Sequence, residues 1–258
     1  MRQTQDERGR VRCDSIVIRV AGVPFEVDVP AEMESTARRA FAPYRCDDEP
    51  LFFARRSDGY AAWLREVVPD MTDADLYHSQ VIHGAAAGLL DYDCLLLHSA
   101  VLAVDGRAYA FSAPSGTGKS THVSLWKRHF GERAVVVNGD KPFMRRVRGM
   151  WYACASPWAG KEGWQTRVDV PLAALCFIER GDHDAIRPLD EREVTDRIVA
   201  QVDIPEDPER ACRQLDLIGS LMAEVPSYLL TCTVSTEAAR LSYETLSGRR
   251  DWDDEDKA

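Results

Sequence analysis

Apolar and polar residues alternate over 15–20 (SIVIRV) and 24–29 (PFEVDV), the period of strands with one buried face. The two runs flank Ala21-Gly22-Val23, which reads as a turn. A short helix over 31–41 and a strand over 51–54 complete what reads as a small α+β appendage of the first 65 or so residues. The period then changes. Leu76, Ile82, Ala86 and Leu90 recur near helical spacing over 73–90, and Asp73 and Asp75 suit the positive end of that helix. The run CLLLHSAVLAV over 94–104 has the composition of a buried strand. Asp105-Gly106 is a hairpin signal that returns the chain along a second strand, 107–112. A loop and a helix follow to 130, then a strand over 134–137 and a hairpin of 143–147 with 150–153 about Arg148-Gly149. Residues 156–166 read as a loop and 172–178 as another strand.

The last third is mostly helical. Val194, Ile198, Val199 and Val202 share one face of a helix over 191–202. Asp207-Pro208 is a cap and first-position pair for a helix over 208–223. A strand over 228–234 leads to Ser235, which caps a final helix ending near 246. Strands and helices alternate, but hairpins interrupt them, so the expected fold class is α/β with a mixed rather than a purely parallel sheet.

Composition narrows the classes. The chain has 258 residues, the size of one large domain with an appendage. The division expected is 1–66 for the appendage, 67–248 for the main domain and 249–258 for an acidic, disordered tail. Hydrophobic residues at 45% and charged residues at 29% exclude a largely disordered chain. Acids outnumber bases 42 to 32, a formal charge of −10, which disfavours nucleic acid and anionic membrane as partners. No apolar run reaches the roughly 18 residues of a membrane helix. The polar start MRQTQDERGR has no apolar stretch behind it, so a cytoplasmic protein is expected. The seven cysteines are scattered, with no CxxC pair, and read as reduced thiols rather than metal ligands.

The sharpest chemical signal is APSGTGKS over 113–120, between an apolar strand and a helix. It fits the phosphate-loop pattern except at its first position, where Ala113 replaces glycine. Gly116 and Gly118 let the backbone curl so that the N–H groups of Ser115, Gly116, Thr117, Gly118, Lys119, Ser120 and Thr121 can surround phosphate oxygens. Lys119 supplies a cation for the β and γ phosphates, and Ser120 a hydroxyl for magnesium. Asp140 lies 20 residues after Ser120, at the end of an apolar strand, where a second magnesium ligand belongs; it also suits the turn Asn138-Gly139-Asp140. Ten Lys or Arg and three acids lie between Lys119 and Arg167, a local charge of +7 in a chain whose remainder is −17. Trp158, Gly160, Lys161, Gly163 and Trp164 sit in the loop 156–166, which could bring Lys161 to an anion or serve as a packed aromatic turn.

These residues resemble the HPr kinase/phosphorylase superfamily, and more closely the short HPr-kinase-like proteins of bacterial operons. The resemblance rests on LLLHSAVLAVDGRAYAFSAPSGTGKST followed by AVVVNGDKPF, and is strongest over about 90–180. It implies a P-loop core of the HPr kinase and phosphoenolpyruvate-carboxykinase type. It also implies that Lys119, Ser120 and the loop backbone bind ATP and Mg2+, that Asp140 is a metal ligand and that His98 stands near the phosphates. Where HPr kinases carry a first aspartate beside this one, the chain has Gly139; where they carry a glutamate after the loop serine, it has Thr121. The resemblance makes a homo-oligomer plausible, since HPr kinases assemble as hexamers.

The expected activity is an ATP- and Mg-dependent kinase acting on a hydroxyl acceptor. Asp140, Lys119, His98 and Lys161 are its catalytic candidates, and a serine of a peptide or small protein is a candidate acceptor by analogy with operon relatives in modified-peptide biosynthesis. Two alternatives stand beside it: a nucleotide-binding regulatory protein with little turnover, and a small-molecule phosphotransferase.

Overall fold

The computed structural model describes residues 14–252. Expectations for the frayed start, Cys13 and the last six residues fall outside them. The described residues divide into two units, one ending at Leu89 and the other beginning at Leu90.

In the first unit, β1 (Asp14–Val20) and β2 (Val23–Val29) form an antiparallel hairpin with Val20 opposite Val23. The turn is only Ala21-Gly22, with φ of 50° and 74°, the doubly positive conformation that matches strand twist. The alternation read from the sequence survives as burial, since Val23, Phe25, Val27 and Val29 all face inward. Helix α1 (Glu34–Phe41) follows, and β3 (Phe53–Ala54) adds a parallel strand to β2. Helix α2 (Asp58–Val67) was not expected from the sequence, although Tyr60, Trp63, Leu64 and Val67 fall at helical spacing; of these only Leu64 is buried. Its start is set by Ser57, whose hydroxyl accepts from the Tyr60 N–H at 3.1 Å. Helix α3 (Asp73–Leu89) closes this unit.

The second unit is built on a curled, mixed sheet of nine strands. In order of appearance they are β4 (Cys94–Leu96), β5 (Ser99–Val104), β6 (Arg107–Ser112), β7 (Ala134–Asn138), β8 (Phe143–Val147), β9 (Met150–Cys154), β10 (Asp169–Arg180), β11 (Ala185–Pro188) and β12 (Ser227–Cys232). The main path runs β4-β8-β9-β10-β6-β5-β7, with β12 on β10 and β11 on β12. The twelve-residue β10 explains the curl. Its first residues pair antiparallel with β9, and Leu175–Arg180 then pairs parallel with β12, while β6 lies parallel along the other edge.

The apolar run 94–104 is two strands rather than the single one expected. β4 pairs with β8, whereas β5 pairs with β6 and β7. The chain must cross between the two halves of the sheet, and Leu97-His98 makes the crossing. Composition could not show this, because both pieces are fully buried.

Four helices cover the sheet: α4 (Lys119–Phe130), α5 (Glu191–Val199), α6 (Pro208–Glu224) and α7 (Thr236–Ser247). Asp207 and Ser235 cap α6 and α7 as read from the sequence. Helix α5 stops at Val199, three residues short of expectation. Helix α4 is pinned to α7 through Ser242, whose Oγ accepts from Trp126 Nε1 at 3.0 Å and donates to the Ala239 carbonyl at 2.8 Å. His122 Nε2 lies 2.9 Å from the same oxygen and therefore donates to it. The expected tail is also corrected in part. Trp252 is buried and its ring stacks on His129 at 3.6 Å between centroids, so residues 249–252 belong to the folded unit.

Candidate active site

The loop between β6 and α4 sits at the carboxyl end of β6 and beside that of β10, where α/β sheets bind ligands. Gly116 and Gly118 have φ of +78° and +125°, the conformations that require glycine, and an added Cβ at either would stand in open space. Among the described residues Ala113 is not in a positive-φ conformation, so its methyl group is tolerated where the motif has glycine. Lys119 begins α4 and folds back over the loop, with Nζ donating to the Ala113 carbonyl at 2.6 Å. Only 8% of Lys119 is exposed. Burial lowers its pKa, and the nearby Asp140 carboxylate opposes that shift. The loop thus carries a largely desolvated cation held by neutral carbonyls.

Asp140 faces this cation from the turn after β7. Asn138, fully buried at the end of β7, sets that turn. Its Oδ1 accepts from the backbone N–H of both Asp140 and Lys141 at 2.8 Å, and its Nδ2 donates to the Ser156 carbonyl at 3.0 Å. The Asp140 carbonyl accepts from Ser99 N at 3.1 Å, which ties the turn to the crossing between β4 and β5. That crossing delivers His98. Its Nε2 reaches Asp140 Oδ1 at 3.1 Å, and Lys141 Nζ reaches Oδ2 at 3.2 Å. Burial works against the Asp140 carboxylate, but the His98 hydrogen bond and the Lys141 charge outweigh it and hold the pKa at about 2. Asp140 is therefore an ionised, hydrogen-bonded carboxylate.

The loop 156–166 closes over this turn. Gly139 N donates to the Trp164 carbonyl at 2.9 Å. A Cβ on Gly139 would stand 3.1 Å from the Ala159 carbonyl oxygen, close enough that the loop backbone would have to give by a few tenths of an ångström to admit a side chain. Gly160 packs still closer, since a Cβ there would meet the Cβ of Asp140 at 2.8 Å. The glycines of this loop are thus partly explained by their contact with the Asp140 turn.

A cleft of about 560 Å³ gathers His98, Ser115, Gly116, Gly118, Lys119, Ser120, Thr121, Asp140 and Lys161. Thr117 lines the two adjoining clefts instead. Lys141 and Arg180 also face the cleft, so four long cations stand against the Asp140 and Glu162 carboxylates. Arg180 was not singled out in the sequence. Its guanidinium donates to the carbonyls of Gly116 and Thr117, bracing the loop from the end of β10. A cation just past the apolar stretch of a central strand was the available signal. Among the described residues, no three His, Cys, Asp or Glu side chains gather as a metal site. None of the described helices is long and apolar enough to cross a membrane.

The fold and this cleft define the class: an α/β protein with a curled mixed sheet and a cation-rich cleft at the loop after β6. The model of the family described as SynChlorMet cassette protein ScmC matches residues 70–238, and the chain belongs to that family. Among solved structures, the HPr(Ser) kinase/phosphatase from Coxiella burnetii is similar at 12% sequence identity and a TM-score of 0.33. That match covers 59% of this chain and 88% of the other. No curated protein matches.

Proposed function

We propose that the protein is an ATP- and magnesium-dependent kinase that transfers the γ-phosphate to a hydroxyl acceptor, a serine of a peptide or small protein in first place. The observation that carries this reading is the meeting of Lys119, the glycine-bent loop and the bracketed Asp140 carboxylate in one cleft. Loop amides suit the phosphate chain, and Lys119 Nζ can exchange its carbonyl partners for β- and γ-phosphate oxygens. The Ser120 hydroxyl and the Asp140 carboxylate are the two protein donors for magnesium. That small set suits an ion that also takes phosphate oxygens and water. When bound, magnesium would neutralise charge on the phosphate oxygens. Belonging to a cassette family is compatible with an acceptor made by the same cassette.

In the transfer, the bond from the γ-phosphorus to the ADP oxygen breaks and a bond to the acceptor oxygen forms. The hydroxyl proton leaves to water or to the Asp140 carboxylate. A carboxylate with a pKa of about 2 is a weak base. Most of the acceleration must then come from positioning and charge, which a loose transition state permits. His98 and Lys141 act here as positioning residues for Asp140. Lys161 is the acceptor-side cation.

The weak base and the crowded Gly139 also favour a second reading, a nucleotide-responsive regulator with little turnover. Phosphorus NMR separates the two. The protein is incubated with Mg-ATP and a desalted peptide-plus-metabolite extract, with the Lys119→Ala variant alongside. A new phosphate-ester resonance with wild type alone is the expected result. ATP that is bound and broadened but never consumed would contradict the kinase. An ester on a metabolite rather than a peptide would make it a small-molecule phosphotransferase.

A further inference from the structure

A larger cleft, of about 680 Å³, adjoins the charged one and shares Ser115, Gly116 and Arg180 with it. Its apolar surface comes from Pro114 of the loop, Phe177 and Ile178 of β10, and Ala200 just past α5. Four charged side chains line it: Glu179, Arg180, Asp196 and Arg197. Three of them are committed. The Arg180 guanidinium braces the loop carbonyls, and Arg197 Nη1 donates to Glu179 Oε1 at 2.6 Å. Asp196 is exposed and has neither a hydrogen bond nor an ion pair among the described residues. It stands one helical turn before Ala200, on the same wall of the cleft. Gln201, also on this wall, has a buried Oε1 that accepts no hydrogen bond. Its backbone carbonyl accepts from His98 N at 3.0 Å, so the wall is joined to the crossing that brings His98 to Asp140. An uncommitted carboxylate and a buried amide oxygen beside an apolar surface suit a ligand with N–H donors, positive charge and an apolar stem.

From these observations we propose that the cleft takes a basic side chain of the phosphate acceptor, a lysine or arginine. Its stem lies along Pro114 and Ala200, and its charged head meets Asp196 and the Gln201 Oε1. The proposal rests on the kinase reading and names a selection rule for its polypeptide acceptor. The serine hydroxyl enters the charged cleft past Ser115 and Gly116, which border both clefts, while the basic residue stays in the larger one. Overall charge acts in the same direction. Outside the +7 segment the chain carries −17, so long-range attraction favours a basic acceptor over an acidic one.

The test incubates the full chain and Mg-ATP with a serine-centred peptide library that is degenerate at the flanking positions. Mass spectrometry then reads the residues enriched in the phosphorylated fraction. Wild type is expected to enrich lysine or arginine roughly fivefold at one fixed distance from the serine. Asp196→Asn is expected to lose that enrichment. Asp196→Arg is expected to replace it by aspartate or glutamate at the same distance, a gain that a misfolded variant cannot give. Asp216→Arg, which changes an exposed carboxylate of α6 lining a separate cleft, is expected to leave the enrichment in place. Phosphorylated peptides without basic enrichment, or an enrichment that survives Asp196→Arg, would overturn the proposal and leave the kinase standing. So would loss of the enrichment in Asp216→Arg. Ethanolamine, an ammonium with a hydroxyl and no peptide chain, is run alongside, and preferred transfer to it would overturn a side chain as the source of the charge. No phosphorylated product of either kind with wild type would remove the kinase reading and the proposal together.

Discussion

The Asp140 carboxylate is shaped by the residues around it. Asn138 sets its turn, His98 and Lys141 hold its oxygens, and Gly160 lies against its Cβ. Gly160→Ala tests that packing. The residue has φ +71°, and the added methyl would stand 2.8 Å from the Asp140 Cβ, so the carboxylate must move. Phosphoryl transfer is expected to fall on the order of tenfold or more, with a stability loss of about 1 kcal/mol from the left-handed backbone. Retained transfer in a steady-state assay would remove Gly160 from the site's support. Asp140→Asn is expected to lose most of kcat and to weaken the magnesium dependence. An unchanged magnesium titration would show that the ion is held elsewhere. The lowered pKa has a sign as well. Asp140 contributes stability above its ordinary value near 3.8, and that contribution is lost only as pH falls towards about 2. Its ionisation is therefore not expected to produce an acid limb in activity near neutral pH.

At the scale of elements, the joint between α4 and α7 matters most, because α4 carries Lys119 and Ser120 into the cleft. Ser242→Ala would leave the buried donors of His122 and Trp126 without their shared acceptor. The expected cost is about 2 kcal/mol by urea denaturation. His122 makes this joint sensitive to pH. Burial depresses its pKa from 6.5 to about 4, so the unfolded chain binds the proton more tightly. Its contribution is complete above about 6.5 and is lost as pH falls towards 4, on the order of 1 kcal/mol per pH unit. His122→Gln, which keeps a donor and cannot titrate, is expected to flatten the stability curve by that amount between those limits. An unchanged curve would mean that His122 is already protonated in the native state.

Much of this element map was legible beforehand. Asp105-Gly106 and Arg148-Gly149 announced their hairpins because each pair adopts the positive φ that two-residue turns need. The loop and α4 could be read because glycines, a lysine and a serine fall at fixed spacing between a strand and a helix. The crossing at Leu97-His98 could not, since a change of strand partner leaves no trace in an unbroken apolar run. Trp252 was lost within an acidic segment, where charge hid one large apolar residue that packs on His129. Arg180 and Asn138 were hidden for a related reason. Their roles come from long-range pairing, Arg180 with a loop more than sixty residues earlier and Asn138 with Ser156.

For the whole molecule, charge is the informative property. A chain of net −10 concentrates +7 between Lys119 and Arg167, the segment that contains the loop lysine, the Asp140 turn and Lys161. Such a field raises the local concentration of polyanions and weakens in salt. Mg-ATP affinity is therefore expected to fall as ionic strength rises, and an affinity indifferent to salt would show that the cations do not act on the ligand. The central claim can be tested without knowing the acceptor, by titrating Mg-ATP into the full chain in a calorimeter beside Lys119→Ala. Wild type is expected to bind with a stoichiometry of about one ATP per chain. The variant is expected to keep its melting temperature and lose about tenfold or more in affinity. Equal binding by both proteins, or none by wild type, would contradict the assignment of this cleft to a nucleotide.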